Sequence, residues 1–180
     1  MPRNILTRKL FEKPTSVAKL EMAGFTADEI LHIYKLPLKL TLDVRLSVFQ
    51  FKINQNILYS KSRLFRNKIT DNDKCYLCSG SQTLRHLFVD CDFSRVFWID
   101  FTWWNCKNST QIELQPRDIL FPFHPGKQSF LDINYCLLEA RNYIYISAKN
   151  EDPFCFNSYL AFLKDKLGTD KKKIRDLVTL

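Results

Sequence analysis

Apolar residues recur at helical spacing along most of the chain. From Thr41 to Gln55, and on to Ile57, the residues Leu46, Phe49, Ile53 and Ile57 fall on one face. Arg45, Lys52 and Gln55 lie elsewhere on the wheel, which predicts a strongly amphipathic helix and the main packing element of its lobe. Asp92 to Asn105 carries Phe93, Val96, Phe97, Phe101 and Trp104 at the same period, a third helix with an aromatic stripe flanked by Trp98 and Trp103. Two shorter helices are also expected. One starts at Thr26-Ala27-Asp28-Glu29, presents Ile30, Ile33 and Tyr34, and ends at Pro37; the other spans Tyr59 to Lys68 with Leu64 and Phe65 inward.

Further on, Ser129 to Lys149 places Ile133, Leu137, Ala140 and Ile144 inward with Tyr135, Tyr143 and Tyr145 around them. Pro153 separates that helix from Asn157 to Leu167, for which Gly168 reads as a cap. Lys107 to Lys127 breaks the pattern with Pro116, Pro122, Pro125 and Gly126, and Ile112-Glu113-Leu114 alternates like a short strand. The expected organisation is an opening segment over 1–40, a first lobe over 41–106, a linker over 107–128 and a helical C-terminal lobe over 129–180. The fold class is mainly α.

Composition supports a packed core: 46% of the 180 residues are apolar, including 15 Phe, 7 Tyr and 3 Trp. No apolar run approaches the roughly 20 residues that a membrane-spanning helix needs. The first twenty residues are basic but lack the continuous apolar stretch of a secretory signal, so thiols are expected to stay reduced and to favour metal over disulfides. The net charge of +8 points to a polyanionic partner, of which nucleic acid is the common kind.

Three of the six cysteines cluster with a histidine as Cys75-x2-Cys78-x7-His86-x4-Cys91. Three thiolates and an imidazole complete a tetrahedral zinc shell and leave no open position, the pattern of a structural site. Ser79-Gly80 is expected to turn the chain, with Gly80 taking the positive φ. Gln82 to Asp90 reads as a short helix capped by Thr83 that presents His86, so the fold becomes a small CCHC zinc knuckle clamped among helices. The remaining Cys106, Cys136 and Cys155 read as small buried apolar groups. A second cluster is basic: Lys61, Arg63, Arg66 and Lys68 fall within eight residues, and Arg85 adds to them. Arginine suits phosphate by its bidentate fork and lysine as a point charge, so these five are the candidate nucleic-acid contacts.

The order Phe49-Gln50-Phe51-Lys52-Ile53, Asn56-Ile57-Leu58, Ser62-Arg63-Leu64-Phe65, Cys75-x2-Cys78, Thr83-Leu84-x-His86-Leu87-Phe88, Cys91 and Phe97-Trp98 resembles the zinc-binding region that follows the polymerase in non-LTR (LINE-type) retrotransposon reverse transcriptases. The resemblance is good over Leu36 to Trp104 and looser from Ile112 onward. Gln82 departs from it, since the family usually has an acidic residue before the Thr, but it touches no ligand. The resemblance implies an accessory module with one structural Zn2+, helping to hold RNA or DNA beside a polymerase domain, in the nucleus. Polymerisation needs paired carboxylates, which the family places in an Asp-Asp turn. The chain contains no Asp-Asp pair, so no enzymatic activity is expected of it. A nuclease site of the kind some relatives carry would have to use Asp118 and Asp132, but Arg117 interrupts the Pro-Asp and no suitably spaced lysine follows. The alternative is a zinc-stabilised protein-interaction domain that packs on a polymerase or another protein, with Trp98, Trp103 and Trp104 supplying the aromatic surface.

Overall fold

The computed structural model describes residues 20–21, 23–108, 114–122 and 129–169. Helix α1, Ala27–Leu40, starts where the sequence predicts. The Glu29 amide donates to Thr26 Oγ1 at 3.3 Å and the Thr26 amide donates to Glu29 Oε2 at 2.8 Å, a reciprocal cap. Pro37 does not end this helix, contrary to expectation; it lies inside, and the helix runs on to Leu40. A proline has no N–H for the carbonyl four residues back. That carbonyl, on Ile33, instead accepts from Asn54 Nδ2 at 3.3 Å.

Helix α2, Val44–Asn54, opens on Asp43, which accepts from the Arg45 amide at 2.8 Å. Leu46, Phe49 and Ile53 are buried as expected, while Ile57 lies past the end and is exposed. Asn56 takes φ +52, and after this turn Leu58 enters the core in its place. The helix is less cleanly amphipathic than its spacing suggests, because Val44, Val48 and Phe51 are exposed on its outer side. Helix α3, Lys61–Arg66, is shorter than predicted and buries no residue; Phe65 faces out and Leu64 is half-buried. Its Ser60 cap accepts from the Arg63 amide at 3.4 Å, and the chain leaves the helix at Lys68 with φ +57.

Helix α4, Asp92–Asn108, buries Ser94, Phe97, Trp98, Phe101 and Asn105. The stripe is rotated from the one read in the sequence: Trp98 is inside, and Phe93 and Val96 face out. Ser94 Oγ donates to Leu87 O at 2.6 Å and Trp98 Nε1 donates to Phe88 O at 2.7 Å, so polar atoms on the buried face are satisfied. Helix α5, Pro116–Leu120, forms within the proline-rich stretch and buries Ile119. Asp118 is one of its caps, accepting from the Gln115 amide at 2.9 Å.

Helix α6, Ser129–Asn150, is the central element; it packs on α1, α2, α5 and α7, Phe156–Thr169. Ile133, Leu137, Ala140 and Ile144 are buried as expected. Gly168 is not a cap but lies within α7. Tyr159 of α7 donates to Cys136 O at 2.7 Å, and the Phe97 ring stands 5.4 to 6.3 Å from the rings of Tyr143, Phe154, Phe156 and Tyr159. One hydrophobic cluster thus runs from Leu36 through α4 and α6 to Leu163. Cys136 is buried in it, whereas Cys106 and Cys155 are exposed, contrary to their reading as core groups. The mainly helical class holds. The expected strand falls largely on residues outside those described, as do His124, the basic N-terminal residues and the lysines at 171–173.

Candidate metal centre

The knuckle is a tight hairpin. The Cys75 amide donates to Gly80 O at 2.7 Å, the Ser79 amide to Cys75 O at 2.9 Å, and the Gln82 amide to Asp73 O at 2.7 Å. Lys74 and Ser81 pair as an isolated antiparallel bridge. The positive φ of the turn sits on Ser79 (+62°), not on Gly80 as expected. Space at Gly80 is tight all the same: a Cβ there would lie 3.0 Å from His86 Cε1 and 3.6 Å from Cys78 Sγ.

Thr83 caps the following segment as predicted, with the His86 amide donating to its Oγ1 at 3.0 Å. The helix then widens into a π-helical turn, His86–Asp90, whose last bond runs from the Cys91 amide to His86 O at 2.8 Å. Widened turns of this kind concentrate at functional sites. Here the wide turn sets His86 and Cys91 at its two ends, while Leu87, Phe88 and Val89 between them are buried.

Cys75, Cys78, His86 and Cys91 come together, with all four ligand atoms within 4.8 Å of one another. Cys91 Sγ stands 3.8 Å from Cys78 Sγ, and Cys78 Sγ stands 3.2 Å from His86 Nε2. Two thiolates at about 2.3 Å from a tetrahedral zinc stand roughly 3.8 Å apart, so the spacing fits this ion. The donor set, soft sulfur with one imidazole, fits it as well. The cluster holds one structural zinc.

Local electrostatics differ among the ligands. Burial opposes the Cys75 thiolate, but the amides of Leu77 and Cys78 and the thiols of Cys78 and Cys91 outweigh it, leaving this thiol below its ordinary value. Burial pushes the Cys91 thiol up to about 11, against the amides of Phe93 and Ser94 at the start of α4. Tyr76 is raised by burial and by the neighbouring Cys75 and Cys91, and its hydroxyl donates to Asp152 O at 2.7 Å. That bond ties the knuckle, and the Lys61–Glu151 ion pair ties α3, to the turn between α6 and α7.

The five basic candidates lie in different surroundings. Lys61 is paired with Glu151, and its side chain is only 23% exposed. Arg63 Nη1 donates to Asn56 O at 2.8 Å. Arg66 and Lys68 are exposed at the outer end of α3, although Arg66 Nε donates to Ser62 O at 3.3 Å. Arg85 pairs with Asp90 at 3.1 Å and lines a groove with Arg95 and Trp103. Lys74 is a further exposed cation, in the knuckle itself.

Residues 23–98 match the family model described as zinc-binding in reverse transcriptase. The match takes in all four ligands and helices α1 to α3, so this part of the chain is similar to the zinc-binding region of reverse transcriptases. No curated protein and no solved structure matches the chain.

Proposed function

We propose that the protein is a zinc-stabilised accessory module of a non-LTR retrotransposon reverse transcriptase that grips RNA or DNA by its backbone. The polymerase carboxylates belong, on this reading, to another part of a longer polypeptide, and the site of action is the nucleus. The observation that carries it is the set of exposed cations Arg66, Lys68 and Lys74 on and beside a rigid knuckle, in a chain of net charge +8. Lys74 stands on the metal-braced hairpin, with Arg66 and Lys68 at the end of the helix that leads into it, and phosphate contacts of this kind give affinity without sequence selectivity.

Salt dependence tests it. Neutralising Z phosphates makes log K fall against log salt with a slope of about −0.9Z on duplex DNA. Arg66→Glu with Lys68→Glu should weaken binding to RNA and DNA alike and flatten that slope by about two. Unchanged affinity and slope would count against the reading.

A second reading, a protein-docking module, is favoured by one observation. Leu31, Leu38, Leu42, Val44, Val48 and Phe51 are all exposed on α1, α2 and the turn between them. Exposed apolar side chains on two packed helices are what a protein partner would cover. Binding through them would scarcely respond to salt.

A further inference from the structure

Beside the knuckle, α4, α5 and the π-helical turn enclose an open groove of about 660 Å3. Val89, Ile99, Trp98 and Ile119 give it an apolar lining, and Trp103 stands at its side with 65% of its surface exposed. Arg85 and Arg95 line it too, with side chains 70% and 60% exposed. A second depression of about 490 Å3 shares Arg85, Val89 and Pro116 with the first and adds Phe25 and Arg117. There the Arg117 guanidinium lies 6.0 Å over the Phe25 ring.

Building on the nucleic-acid reading, we infer that this groove receives unstacked bases of a single-stranded nucleic acid, with Trp103 as a stacking face and Arg85 and Arg95 on the phosphates. Two arginines beside an exposed aromatic ring suit a single strand, because every base has a π-face and every linkage a charge, although Asp90 also lines the groove. A duplex keeps its bases stacked inside and would offer this apolar lining nothing. A purely apolar partner would bury two guanidinium groups without an anion to meet them. Arg85 spends one nitrogen on Asp90 and Arg95 one on Asp92, both at the surface, and a guanidinium carries five donors. Both therefore retain donors for phosphate.

The test compares a fluorescent 15-nucleotide oligothymidine with a 15-base-pair duplex, by anisotropy, on the zinc-loaded full chain. Trp103→Ala should weaken oligothymidine binding about 10-fold, within the range of one lost base stack, and change duplex binding less than about 2-fold. Trp103→Phe keeps an aromatic face and should restore most of the single-strand affinity. Trp103 is largely exposed, so zinc content and fold should survive both changes. Unchanged oligothymidine affinity in Trp103→Ala, or equal losses on both probes, would overturn the inference while leaving the backbone-binding reading intact. Absence of binding to either probe by the unaltered protein would remove both.

Discussion

Gly80 faces the His86 ring so closely that a Cβ on it would sit 3.0 Å from Cε1. The neighbouring Ser79 carries the left-handed backbone of the turn, with φ +62. The two residues therefore answer to different constraints, one to a metal ligand and one to chain geometry.

Gly80→Ala should displace His86 and weaken zinc binding by about 10-fold or more, the scale at which groups supporting metal ligands act. Ser79→Gly removes a side chain from a left-handed position and should leave zinc affinity unchanged, with stability equal or higher by up to about 1 kcal/mol. Competition with a chromophoric chelator reads the first, and urea unfolding the second.

Asn54 stands in for the amide that Pro37 lacks, by donating to Ile33 O. Asn54→Ala should cost roughly 1–3 kcal/mol, since it leaves Ile33 O without its donor and removes one of the two acceptors of Gln50 Nε2, which also donates to Leu120 O at 3.0 Å. Pro37→Ala restores an N–H to the helix. In that background the Asn54 change should cost about 1 kcal/mol less, a coupling that a double-mutant cycle in urea would read.

Glu139 is buried in α6, and burial raises its carboxyl above the ordinary 4.5, with partial relief from Asn142, Lys166 and Tyr135. An acid whose folded pKa is raised favours the folded state while it is protonated. Its contribution is fully present below the unfolded value and declines as pH rises from 4.5 through the folded value. Glu139→Gln abolishes that decline. The stability of the variant relative to the parent should therefore increase with pH across this window, as read by unfolding at matched zinc concentration.

The sequence made the metal centre legible to the residue, because ligand chemistry and spacing are local properties. The four ligands meet as read, and the Thr83 cap precedes His86 as expected. What spacing could not carry was orientation. The buried face of α4 differs from its apolar stripe because it includes Ser94 and Asn105, polar residues that hide it from hydrophobic spacing. Pro37 looks like a stop in the sequence because the donor that compensates for it, Asn54, lies 21 positions beyond its acceptor Ile33. Hydrophobicity alone points Phe65 inward, yet α3 is a six-residue helix that buries no residue. Among the basic candidates, pattern could not foresee that Lys61 would meet Glu151, 90 positions along the chain.

If one zinc organises the knuckle, native mass spectrometry of the purified protein will find one zinc per chain. Cys78→Ser should carry none and lose helical circular dichroism, because metal binding supplies folding free energy. A protein that is folded and carries no zinc would contradict that organising role.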